Sequence, residues 1–165
     1  METRIKVLGH PVHPMLIVYP LGLFSTAVIF DVLYLITGND ELAIFSFWAI
    51  VAGIVGGLLA AIFGLIDFLA VPAPTRAKRV GLWHGGGNVV VVLLFVISWL
   101  MRLDDPTYLP DVAPILPALA AAAVALVTAW LGGELVYRLG VAVDAGANLD
   151  ASNSMAEAPL DVNAP

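Results

Sequence analysis

The residues best suited to chemistry in this chain are its three histidines, His10, His13 and His84, with Asp67, Asn88 and Glu134 as candidate neighbours. Neutral imidazole is a common ligand for zinc, copper and iron, and its charge changes near neutral pH. Two or three of the histidines with Asp67 or Glu134 would suit a divalent metal ion. Haem b could instead be held between His84 and either His10 or His13, with small residues making room for the macrocycle. Asn88 follows His84 at spacing i, i+4, so on a helix it shares a face with the imidazole and could orient it or a bound group. A proton relay would use the same side chains. None of these spacings is a specific metal motif. The stretch His10-Pro11-Val12-His13-Pro14 is not HExxH, and its prolines oppose a helical pairing of the two histidines. No nucleophile–base pair, phosphate-binding loop or paired-carboxylate arrangement is present, so catalysis has no positive support.

These side chains must be positioned by elements that live in a bilayer. Hydrophobic residues make up 61% of the chain and charged residues 12%, and the mean hydropathy is +0.97, far from a soluble domain. A membrane helix needs roughly 20 apolar residues. Four such runs stand out: Met15 to Ile36, Ile44 to Leu69, Leu82 to Leu103 and Ile115 to Tyr137. The expected fold is all-α, a four-helix transmembrane bundle over residues 1–143 followed by a polar tail, 144–165. Pro20 should bend the first span. Six of the seven basic residues flank one end of the spans, so the positive-inside rule puts both termini in the cytoplasm. A multi-pass protein of a bacterial inner membrane is expected. Cysteine is absent, which excludes disulfides, thiolate metal sites and covalent c-type haem. The net charge of −6 argues against nucleic acid as a partner.

This topology sets the polar residues by depth. His10 and His13 precede the first span, Asp67 ends the second, His84 begins the third with Asn88 a turn deeper, and Glu134 ends the fourth. All fall in one layer near the inner surface. Ionisable groups beside hydrocarbon normally face a bundle interior or cavity and mark ion, proton or cofactor sites. The plainer account is hydration at the interface, with Glu134 and Arg138 as an ordinary i, i+4 pair. A ligand site requires two imidazoles directed to a common space, whereas a structural layer has them bonded to carbonyls or to Asp67 and Glu134. At the outer end, Asp31 and Arg102 either pair across the bundle or snorkel to the interface. Stripes of small residues, Gly53, Gly57, Ala60 and Gly64 in the second span and Ala118, Ala122, Ala125, Ala129 and Gly133 in the fourth, should be helix contacts. The acidic tail from Asp144 has no period of its own and is expected to lie on a neighbouring subunit.

The segments Gly9-His10-Pro11-Val12-His13-Pro14, Gly64-Leu65-Ile66-Asp67, His84 with Asn88, and Trp130-Leu131-Gly132-Gly133-Glu134-Leu135-Val136-Tyr137-Arg138 together resemble an uncharacterised bacterial membrane family catalogued as a domain of unknown function. The resemblance covers roughly residues 9 to 140. Some members of that family are joined to Rieske-type iron–sulfur domains, which implies electron transfer. With no cysteine here, such a cluster would belong to a partner. The expectation is a small membrane subunit of a bacterial electron-transfer assembly, whose His and carboxylate layer holds haem b or a metal ion. The alternative is a structural accessory subunit without cofactor, and a transporter is a third class that the lack of an inverted repeat and of midplane charge disfavours.

Overall fold

A computed structural model describes residues 1–104 and 106–156. Asp105, expected in the acidic outer loop, and 157–165 of the tail lie outside the described residues. The chain opens with a small antiparallel hairpin, β1 (Lys6–Val7) and β2 (His10–Pro11). Its two turn residues, Leu8 and Gly9, both have positive φ, 51° and 81°, as a tight hairpin turn requires. Pro11 is the extended N-cap of a short helix, α1 (Val12–Leu16). The extended lead-in therefore stops at Pro11. Pro14 is accommodated in the first turn of α1, where its missing N–H has no helical partner to lose.

The chain continues after Ile17 into α2 (Val18–Thr37). The break falls where Pro20 cannot bond the Leu16 carbonyl, so the bend expected from Pro20 is present. Gly38, at φ 68°, ends α2 in the left-handed conformation, and Asn39 caps α3 (Asp40–Ala70) by accepting from the Glu41 N–H at 3.1 Å. Asp40 and Glu41 then sit at the positive end of the helix dipole. Thr75 caps α4 (Arg76–Met101) in the same way, through the Lys78 N–H. Helix α5 (Val112–Gly133) runs into one π-helical turn, Glu134–Arg138.

Four stretches, Val12–Thr37, Asp40–Ala70, Arg76–Met101 and Val112–Arg138, are long and apolar enough to cross a membrane. Their packing is that of a bundle in lipid. The interior is built from Phe24, Ala27, Ile50, Val91, Phe95, Ala118 and Ala121, while Leu126, Ile36 and Trp83 are 76%, 74% and 73% exposed. Such a surface is stable only against hydrocarbon. The most extensive contacts join α2 to α3 and α4 to α5, and lesser ones join α3 to α4 and α5 to α2. The helices form a closed ring in which α2 and α4 face each other diagonally.

The second-span stripe is a contact face. A methyl group on Gly53 would fall 2.6 Å from the Phe24 ring, one on Gly57 3.3 Å from Val92, and one on Gly64 2.8 Å from the His13 ring. The fourth-span stripe differs in part. Ala118, Ala121 and Thr128 are buried and Ala129 is exposed. The buried set is turned by part of a helical turn from the predicted row, toward Ala121 and Thr128, with Ala122 and Ala125 half-buried at its margin.

Candidate functional site

The expected polar layer resolves into separate arrangements. His13, on α1, places Nδ1 2.9 Å from the Ala60 carbonyl of α3, and its ring lies against Gly64 one turn further along that helix. His84, on α4, places Nδ1 2.9 Å from the Thr128 carbonyl of α5, with its ring against Gly132. Glycine lets each imidazole approach the neighbouring backbone, since a Cβ at either position would stand about where the ring edge is. Asn88 donates to the His84 carbonyl at 2.8 Å, accepts from the Thr128 hydroxyl at 3.2 Å, and holds its amide nitrogen 3.4 Å from His84 Nε2. It thus sits beside the imidazole, as its helical spacing predicts.

The other candidates are engaged elsewhere. His10 is exposed on β2, with Nε2 3.3 Å from the Ser154 hydroxyl. Asp67 accepts a short hydrogen bond from the Thr3 hydroxyl and another from the Arg4 N–H at 3.2 Å, so it fastens the N-terminal segment. Glu134 pairs at 2.7 Å with Arg76 at the start of α4, in place of the i, i+4 partner Arg138. Among the described residues, no three His, Asp or Glu side chains are grouped so as to hold a metal ion. The tail, as far as residue 156, lies along the chain's own N-terminal segment. The Ser154 hydroxyl donates to the Leu8 carbonyl at 3.1 Å, and Lys6 stands 3.6 Å from Asp144. Lys6 also pairs with Glu2 at 2.6 Å; this bond raises the lysine pKa and lowers that of Glu2.

A carbonyl oxygen only accepts, so the bonds to Ala60 and Thr128 fix the proton of both His13 and His84 on Nδ1. In the neutral rings the lone pair is then on Nε2. Carbonyl bonds are what a structural layer calls for; they leave Nε2 of each ring outside the bond, that of His84 with the Asn88 amide nitrogen 3.4 Å away. Ligand histidines are oriented by the same kind of bond.

At the outer end Asp31 and Arg102 pair across the bundle. Arg102 Nη1 and Nη2 meet Asp31 Oδ1 and Oδ2 at 2.9 and 2.6 Å, both side chains fully buried. Ser46 and Ser98 hydroxyls lie 3.3 Å from Nη1 and Nη2, and Ser98 donates onward to the Pro114 carbonyl at 2.7 Å. Two turns inward, Phe24 and Phe95 stack with centroids 3.9 Å apart and planes 4° from parallel. Ser46, Ser98 and Thr128 are absent from the sequence-based site. Their signal was a small hydroxyl residue one turn from a charged or imidazole residue, as with Ser98 and Arg102, or on the helix facing it.

No curated protein and no solved structure matches the chain. A family model described as predicted membrane protein, DUF2231, matches residues 9–145. With four membrane-length helices and a match over most of its length, the chain belongs to this family of predicted membrane proteins.

Proposed function

We propose that the chain is a small integral-membrane subunit of a bacterial electron-transfer assembly, in which His13 and His84 would hold a haem b. The observation that carries this reading is the matched hydrogen bonding of the two imidazoles, each with Nδ1 on a backbone carbonyl of a neighbouring helix, which leaves Nε2 of each ring outside that bond, that of His84 with the Asn88 amide 3.4 Å away. A structural or catalytic zinc site asks for three or four protein ligands. Asp67 and Glu134 are committed to Thr3, Arg4 and Arg76, so two imidazoles are what the layer offers. Haem iron takes its other four ligands from the macrocycle and asks for no more than two. When bound, the haem would supply one-electron chemistry; the protein's part is to orient the rings and exclude water. The basic residues around the histidine end favour the cytoplasmic face for it. Absorption spectra and metal analysis of gently purified protein test the reading: a Soret band that His84→Ala abolishes supports it, and haem-free protein that stays active in its parent complex refutes it.

A structural accessory role is the second reading, favoured by the same imidazoles acting as clamps. Each ties one helix to the backbone of its neighbour over a glycine, and that function needs no ligand. Under this reading His13→Ala and His84→Ala lower bundle stability in preparations that never contained haem.

A further inference from the structure

The contacts at different depths of the bundle obey one rule. His84 follows His13 by 71 residues, Phe95 follows Phe24 by 71, and Arg102 follows Asp31 by 71. The buried positions of α2 are Phe24, Ala27 and Asp31; those at the end of α4 are Phe95, Ser98 and Arg102, again at an interval of 71. Between α3 and α5 the interval is 68. Ser46, Phe47, Ile50, Gly53 and Ala60 are buried in α3, and their counterparts Pro114, Ile115, Ala118, Ala121 and Thr128 are the buried residues of α5. The hydrogen bonds follow suit: His13 bonds Ala60 and lies on Gly64, while His84 bonds Thr128 and lies on Gly132, both partners displaced by 68.

Correspondence alone would indicate two similar hairpins. Their relation is settled by which residues touch. Phe24 stacks on Phe95, and Asp31 pairs with Arg102, so at two depths a residue contacts its own counterpart. A residue can touch its symmetry mate only beside a two-fold axis. Two such contacts, about two turns apart along α2 and α4, define a line along the bundle. His13, on α1 just before α2, and His84, on α4, lie toward its inner end.

We infer that the chain is two diverged copies of one helix hairpin, α1–α3 and α4–α5, related by a two-fold axis along the membrane normal, and that Asp31 and Arg102 make each hairpin's inner face complementary to the other hairpin and not to itself. This is the parallel kind of membrane repeat, distinct from an inverted one. Two identical hairpins would set Asp against Asp or Arg against Arg on the axis, burying like charges without a counter-ion. The fused chain has one of each. Of the two serines around the guanidinium, Ser98 corresponds to Ala27 and is carried by the arginine's own half, while Ser46 comes from the first half and corresponds to Pro114. The inference is independent of any ligand between the histidines.

The axis makes these positions exchangeable, which is testable in the full-length chain. A variant combining Ala27→Ser, Asp31→Arg, Ser98→Ala and Arg102→Asp moves the arginine and its serine to the first half and the aspartate to the second. It should insert, purify as a monodisperse species and melt close to the parent chain. The single reversals Asp31→Arg and Arg102→Asp bury like charges and should lose most of the folded protein. If the exchanged chain is lost to the same extent as the single reversals, the two positions are not equivalent and the inference fails. If the single reversals fold as well as the parent, the pair does not control how the halves match, and that part of the inference fails too.

Discussion

Replacing Asp31 with asparagine keeps the shape of the outer ion pair and removes one charge. In the parent chain the Arg102 guanidinium makes two contacts to the carboxylate, at 2.9 and 2.6 Å, and two longer ones to serine hydroxyls, while Nε has no partner among the described residues. Both charged side chains are wholly inaccessible. The asparagine variant leaves a buried cation held by neutral groups alone, which costs about 3–5 kcal/mol. At about 1.4 kcal/mol per tenfold, that lowers the folded-to-unfolded ratio by roughly two to three and a half orders of magnitude, much of the ~5–15 kcal/mol available to a small domain. Replacing both residues together, Asp31→Leu with Arg102→Met, removes the desolvation cost of both ions and should recover most of the loss. Reversible unfolding in mixed micelles with increasing denaturing detergent measures all three chains. A loss below about 1 kcal/mol for Asp31→Asn, the range of a solvated surface pair, would refute the buried bridge and mean that Arg102 reaches water.

Gly64→Ala places a methyl group 2.8 Å from the His13 ring and should destabilise by about 1–3 kcal/mol, with the nitrogen NMR signature of the His13–Ala60 bond lost; an unchanged spectrum would put the ring elsewhere. Gly132→Ala, with 3.1 Å to the His84 ring, should do the same more weakly. In this cysteine-free chain, single cysteines at Asn39 and Thr75 should be labelled from opposite faces of the membrane, Thr75 from the cytoplasm; the reverse pattern would overturn the orientation. Glu134→Gln should cost under about 1 kcal/mol, since Arg76 is 55% exposed, and a larger loss in the same unfolding assay would show the pair to be shielded from water.

The four spans were legible in the sequence because a bilayer imposes a length and a composition that few soluble segments satisfy. The depth of the polar layer followed from the spans. Its internal pairing did not, because depth says nothing about rotation around a helix axis. Asp67 could be placed at the inner end of α3, but its partners, Thr3 and Arg4, lie more than sixty residues away, just before the N-terminal hairpin. Glu134 has Arg138 at helical spacing and Arg76 in space, and space decides. Asp31 and Arg102 were visible as a possible pair, and their choice over snorkelling depends on both facing the axis. The repeat was present in the numbering but diluted. The histidine and phenylalanine pairs match by identity, the Asp31 and Arg102 positions match by opposition, and the change of interval from 71 to 68 hides the rest.

The grip between the N-terminal hairpin and the residues after α5 bears on how the protein is made. Lys6 reaches Asp144, and Leu8 is held by Ser154, so these contacts close only when the last helix has left the ribosome. At on the order of ten residues per second, the hairpin waits roughly ten seconds or more beside a growing chain. Thr3 and Arg4 can meet Asp67 earlier, once α3 is inserted. Closure therefore has two stages, and the second reports that all four spans are in place. A chain stalled before α5 would hold its first residues to the bundle through Asp67 without the grip of Asp144 and Ser154.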